Sequence, residues 1–309
     1  MNIPPNPKIR FYRIRTFNEK MNVTFDFLRE NLKPLLKFSF YVIFPLCLIQ
    51  SFFMNSFMRM YVGAVESGDV AGLIAVGSYY GVLMLCILLG SILLSALVCS
   101  LMQTYERRDR RLRELVFADF GASFRTCCVK ALRITLFSVG MVIAAVAIIS
   151  LLAWISIWTL LLTLTLVTIG LLVVMVPFSL FTPLYLFEDL PFAAALRKAM
   201  KYGFSAWGEI FLVLLVFGLL ANILSSITSL PWTIVSIVGS VFSSAVPDSG
   251  LADSVWYQFL SYILGVLMAY GACVSMIINS AGMAFQYFHL REKKEGVTMR
   301  TDIANFDRL

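Results

Sequence analysis

The residue types that do chemistry are scarce in this chain, and their spacing argues against catalysis. His289 is the only histidine, and one imidazole makes no zinc site without further ligands close by. It follows a long apolar run, where a surface or interfacial role is expected. Cys127 and Cys128 are adjacent and lack the C-x-x-C spacing of a redox or metal pair. With Cys47, Cys86, Cys99 and Cys273 they read as small apolar packing groups. There is no G-x-S-x-G, no H-E-x-x-H and no phosphate-binding glycine loop. No acid pair, metal set or activated nucleophile emerges, so the chain reads as a non-enzyme that needs neither cofactor nor metal.

The chemistry the sequence does offer is the binding of anions. Arg125, Lys130 and Arg133 form one basic group, and Arg197, Lys198 and Lys201 another. Each sits on a short stretch of helical periodicity beside a long apolar run. Such helices can sink an apolar face to acyl depth while Lys and Arg meet anionic headgroups. These six residues are the candidate contacts to lipid headgroups or partner proteins. A net charge of +7 does not point to nucleic acid here, because the positive charge flanks apolar runs.

The elements that carry these residues are set by composition. Of 309 residues, 60% are hydrophobic and only 14% charged, against roughly 25% charged in soluble domains. Several uncharged runs exceed the roughly 20 residues that cross a bilayer as a helix. Backbone groups in hydrocarbon must pair within each segment, so the expected fold is all-α: a polytopic transmembrane helical bundle of six spans. Span one covers about 35–57 and span two lies within 71–102. The uncharged run 134–187 suits two spans joined by a turn near Trp154–Trp158. Span five covers about 209–230 and span six lies within 256–288. The segment 232–246 is apolar but too short to cross, and is expected to lie at the surface or to re-enter as a cap, with Trp232 at headgroup depth. The first 33 residues lack a cleavable signal.

Orientation follows from Lys and Arg. Four segments hold 24 of the 25 basic residues, and only Arg59 falls elsewhere. They are the amino-terminal stretch through Lys37, the segment after span two, the segment after span four and the carboxy-terminal tail. Positive charge is retained in the cytoplasm during insertion. The expectation is a bacterial inner-membrane protein with both termini cytoplasmic.

The chain also reads as one unit used three times: a basic amphipathic cytoplasmic helix followed by a helical hairpin. The first such helix is 17–33, with Phe17, Met21, Phe25, Leu28 and Leu32 as its apolar face. A Thr16–Glu19 capping box starts it, and Pro34 is expected to break it. The second is about 122–133. The third is about 191–202, preceded by Asp189, opened by Pro191 and ended by Gly203. The division is then a tail at 1–33, a membrane domain at 34–288 and a tail at 289–309. Within the membrane domain the hairpin units are 34–102, 103–187 and 188–288.

The run LFEDLPFAAALRKAMKYGFSAWGEIFLVLLV resembles a recurring element of uncharacterised bacterial multi-pass membrane proteins. It is similar to the membrane domain ahead of some glycerophosphodiester phosphodiesterases, where an acidic turn precedes an Ala-Leu-basic helix and a span. The opening stretch 11–38 resembles the start of such proteins from Bacteroidetes. The resemblance implies six helices and an accessory membrane role, without phosphodiesterase activity.

Together these readings favour a non-enzymatic membrane scaffold or accessory protein that binds anionic lipid, membrane protein partners or itself. The alternative is a transporter or channel for a neutral or lipid-like solute. The spans carry no ionisable residue of the kind that pumps and ion-coupled carriers use. Their polar groups are amides and hydroxyls, among them Gln50, Asn55, Asn222, Asn279, Thr163, Thr165 and Thr168. A hydrated path would have to be lined by such residues. Pro177 and Pro183 are expected to kink span four. Small residues at Gly77, Gly81, Ser91 and Ser95, and Gly265 and Gly271, offer close helix approach.

Overall fold

The computed structural model describes residues 8–67, 70–108, 112, 114–153, 157–245 and 254–297. Among these residues the chain is all-α, with eight helices and no strand. They are α1 Phe17–Ser67, α2 Val70–Arg107, α3 Phe117–Ala153, α4 Ile157–Ser179, α5 Phe181–Phe187, α6 Phe192–Ser205, α7 Trp207–Ala245 and α8 Val255–Glu295. Six are long and apolar enough to cross a membrane: α1, α2, α3, α7, α8 and the stretch Leu161–Phe187 that holds most of α4 and all of α5. The chain is a multi-pass membrane protein. The turn expected near Trp154–Trp158 falls at 154–156, outside the described residues.

Helix boundaries follow local chemistry. In the capping box of α1, the Thr16 amide donates to Glu19 Oε2 (2.7 Å) and the Glu19 amide to Thr16 Oγ1 (3.4 Å). Pro34 interrupts the helix as expected: two helices meet across a kink one turn ahead of it, at Asn31 (φ −111°, ψ 16°), because a proline ring crowds the carbonyl four residues back and supplies no amide to it. Pro177 lies near the end of α4 and a turn at Leu180 separates α4 from α5, so span four is broken near Pro177.

Three other boundaries differ from the sequence reading. The segment 232–246 is neither a surface helix nor a re-entrant cap: α7 runs unbroken through Pro231 to Ala245. Its 39 residues would extend about 58 Å, and Trp232 is buried within the protein. The stretch 59–67, expected as a loop, continues α1. Gly203 does not end α6, which closes at Ala206.

Contacts group the chain into two compact units along a line unlike the tail-and-hairpin division. Unit one is Met1–Pro34, Ser95–Phe217 and Asn279–Leu309; unit two is Leu35–Leu94 and Gly218–Ile278.

Unit two holds parts of α1, α2, α7 and α8. Its polar clasp centres on Asn55, whose Oδ1 accepts from Trp232 Nε1 (3.2 Å) and Ser261 Oγ (2.5 Å). Asn55 Nδ2 donates to Ser51 O (2.9 Å), and Ser51 Oγ to Tyr262 O (2.8 Å). Gly265 and Gly271 lie where a β-carbon would overlap Ser51 and Thr228, so α8 meets α1 and α7 there at backbone distance. Gly77 and Gly81 on α2 have no neighbour within contact distance among the described residues, so the close approach expected there is not made among them.

Unit one contains the second hairpin, α6 and the charged ends of the other helices. Its core is aromatic. Phe11, Phe27, Tyr105, Phe285 and Phe288 are buried together, with Phe11 stacked on Tyr105 (5.5 Å) and on Phe288 (4.9 Å). Phe11 precedes α1, so this part of the amino-terminal stretch is packed structure rather than a free tail. On α1 the face turned inward is Lys20, Thr24, Phe27 and Asn31. Phe25 and Leu32, from the expected apolar face, are exposed. The side chains that α1 buries ahead of Pro34 are thus mostly polar, and each polar one has a bond: Lys20 Nζ to Gln286 Oε1 (2.8 Å), Thr24 Oγ1 to Lys20 O, Asn31 Nδ2 to Phe27 O.

Candidate functional site

The acidic turn Glu188–Asp189 between α5 and α6 gathers the polar chemistry of unit one. α5 ends at Phe187 because Pro191 follows, and the residues ahead of it take extended backbone: Glu188 has φ −105° and ψ 144°. This aims the two adjacent carboxylates to opposite fates. Glu188 is buried, its side chain 6% exposed, while Asp189 is 98% exposed.

Glu188 accepts two hydrogen bonds from Lys198 Nζ (2.7 and 2.9 Å) and one from Tyr287 Oη (2.9 Å), with Arg291 Nε at 3.4 Å. Glu295 completes the cluster. It pairs with Lys198 (2.5 Å) and Arg291 (3.2 Å) and accepts from Tyr202 Oη (2.7 Å). Arg291 also donates to Tyr12 Oη (3.0 Å) and Tyr287 Oη (3.1 Å). Two carboxylates thus face one lysine and one guanidinium, and three phenols fill the remaining valences. This balance of charge is what permits ions in a partly desolvated site. Burial pushes the Tyr12 phenol up to about 12, against the pull of Arg291. Burial and the bond to Glu295 raise that of Tyr202 as well.

On the other side of the turn, Lys130 Nζ of α3 donates to Glu188 O and to Asp189 Oδ1, both at 2.9 Å. That bond and the Lys130 charge hold the Asp189 carboxyl below its usual range. Asp189, expected to start the third helix, is engaged here, and Pro191 occupies the N-cap position without a side-chain cap. α6 packs through Ala195, Ala199 and Gly203, one small residue per turn. A β-carbon at Gly203 would overlap the ring and Cα of Pro177, so this glycine serves close approach to α4.

The six basic residues singled out from sequence therefore divide. Arg125, Arg133, Arg197 and Lys201 are exposed, whereas Lys130 and Lys198 are half-buried at the acidic turn. Arg125, Lys130 and Arg133 line a cavity of about 460 Å³ with Tyr185, Asp189 and Leu190. A second cavity of about 340 Å³ adjoins Lys130 and includes Arg107, Glu106 and Cys127.

His289 is buried rather than interfacial, at 4% exposure. Its Nδ1 accepts from the Arg15 amide (3.0 Å), so the ring proton belongs on Nε2, which faces Glu209 Oε2 (3.3 Å). Glu209 also pairs with Lys293 (2.8 Å). The sequence singled out neither the Glu188 cluster nor this one. The one signal available was the charge run at 291–295, where Arg291 and Glu295 stand four apart on a helix.

Three of the groups proposed to line a solute path bond within their own helices. Asn222, Thr165 and Thr168 are exposed, and each donates to a carbonyl of its own helix (Gly218, Leu161 and Leu164). Cys99 and Cys127 lie with their sulfurs 3.3 Å apart as free thiols. Among the described residues no cluster of three or more His, Cys, Asp or Glu could hold a metal ion.

Fold and site together define a polytopic helical membrane protein whose charged helix ends are cross-linked by an acidic turn, with Glu188 buried and Asp189 exposed. Comparison with protein-family models, with curated proteins and with solved structures found no match.

Proposed function

We propose that this chain is a non-enzymatic scaffold or accessory protein of a bacterial cytoplasmic membrane. In this reading its basic helices lie against the anionic inner leaflet and both termini are cytoplasmic. The observation that carries it is how unit one uses its charge. Glu188, Glu295, Lys198 and Arg291 are committed to one another, as are Glu209, His289 and Lys293. Of the six candidate cations, the four exposed ones, Arg125, Arg133, Arg197 and Lys201, remain to meet lipid or protein. Locked ion clusters suit a rigid platform. A site that turns over substrate needs groups free to bind it.

The three-unit repeat fits the same picture, each basic helix placing positive charge at the start of a hairpin. The resemblance to accessory membrane domains of phosphodiesterases supports an accessory role. The transport alternative loses ground because Asn222, Thr165 and Thr168 bond within their own helices.

The test uses the full-length protein in two arms. Purified from native membranes in mild detergent, it should carry a stoichiometric membrane protein partner or co-isolated anionic lipid. Reconstituted into vesicles, it should leave the permeability to small neutral solutes unchanged. Solute flux that depends on Asn222 or Thr165 would replace the scaffold with a transporter. Impermeant thiol labelling of Cys introduced at Ser123 in intact cells would reverse the orientation.

A further inference from the structure

We propose that the cavity between α3 and the acidic turn is a discrete site for the phosphate of one anionic phospholipid. The inference rests on the reading that unit one meets an anionic leaflet, and it assigns that contact to one place. The cavity, about 460 Å³, is lined by Arg125, Lys130 and Arg133 and by the Tyr185 hydroxyl. Its one carboxylate, Asp189, is already paired with Lys130, so the lining keeps a formal charge of +2. Two guanidiniums and a hydroxyl match a phosphodiester, since Arg presents its N–H groups as a fork to two oxygens at once.

The surroundings specify a lipid rather than a free anion. Arg133 is the last charged residue before the uncharged run 134–187, so the cavity sits where charge gives way to hydrocarbon. Beyond Arg133 on α3, two helical turns apart, Leu136 and Ile143 are 63% and 64% exposed. One helix face therefore offers cations at one end and a bare apolar strip at the other. A ligand that fills both must join a phosphate to acyl chains covalently; inorganic phosphate would use only the upper half.

The test is native mass spectrometry of the delipidated full-length protein, titrated with phosphatidylglycerol, phosphatidylcholine or inorganic phosphate. One phosphatidylglycerol should bind saturably per chain, with phosphatidylcholine weaker. The R125Q/R133Q variant should lose affinity by about tenfold or more, and R125K/R133K, which keeps the charge but not the fork, should fall between. Monodispersity of the variants on size exclusion shows that they fold. R197Q/K201Q, which removes two exposed cations from α6, should bind as the wild type does. Unchanged binding by R125Q/R133Q would overturn the site. Equal losses in both Gln variants would also overturn it while leaving general attraction to an anionic leaflet intact. Displacement of the lipid by inorganic phosphate would overturn the lipid assignment, and a wild type indifferent to headgroup charge would remove the underlying reading as well.

Discussion

Glu188 and Asp189 are neighbours of the same charge with opposite burial, and this makes their amide variants a controlled pair. E188Q keeps the shape and one acceptor oxygen for Tyr287 but removes the charge that faces Lys198 and Arg291. Loss of one partner from a buried ion pair costs about 3–5 kcal/mol when the other charge is stranded. Here the stranding is partial: Lys198 and Arg291 are each 23% exposed and both retain Glu295. The expected cost is therefore about 2–3 kcal/mol, the size of one or two lost charge-assisted hydrogen bonds. D189N removes an ion pair whose carboxylate is 98% exposed, and such pairs contribute roughly 0–1 kcal/mol. Thermal unfolding in a fixed detergent, followed by monodispersity on size exclusion, should rank wild type and D189N together and E188Q well below. A K198M variant should interact strongly with E188Q in a double-mutant cycle. If E188Q and D189N prove equally mild, the acidic turn does not organise unit one and the argument is wrong.

Other outcomes follow from close approach, the clasp and titration. G203A should destabilise by about 1–3 kcal/mol, since its β-carbon meets the Pro177 backbone, whereas G208A, with open space around it, should be neutral or slightly stabilising; the same melting assay separates them. N55L should cost about 1–2 kcal/mol by removing the shared acceptor of Trp232 and Ser261, given the modest strength of each hydrogen bond between membrane helices. Tyr12 titrates higher when folded, near 12 against 10.0, so the neutral phenol is the folded form. Its contribution is complete below pH 10 and is lost as pH rises from about 10 to about 12; a stability series over that range should show the loss, reduced in Y12F. Mild thiol oxidation should join Cys99 to Cys127 within one chain, detected by mass spectrometry of the peptides, because their sulfurs are in contact.

The helical content, the spans and the capping box were legible in the sequence because each rests on short-range physics: hydropathy over a window, or a three-residue spacing. What escaped it depends on long-range partners. Gly203 has the form of a helix stop and acts as a contact with Pro177, which only the packed α4 reveals. Span five was expected to end near 230, yet α7 continues through Pro231 with Trp232 turned to Asn55. The first turns of α1 pack through Lys20, Thr24, Phe27 and Asn31, and no apolar periodicity marks a lysine whose partner, Gln286, lies 266 residues away. Among the six basic residues singled out by charge and spacing, nothing local told Lys130 and Lys198, drawn inward by Glu188 and Asp189, from the four that stay exposed.

The Asn55 clasp bears on how the chain is made. The amide lies on the first long helix, and its partners lie 177 and 206 residues later. At about 5–20 residues per second of synthesis, roughly 10–40 seconds pass before Ser261 exists. Throughout that interval an apolar helix already committed to the bilayer carries an amide whose lasting neighbours are still untranslated. Water, an insertion factor or a provisional contact with α2 has to host it until the last helix arrives. The final step of biogenesis is thus a late closure between the two ends of the polypeptide, and a nascent chain halted before residue 232 would remain open along that seam.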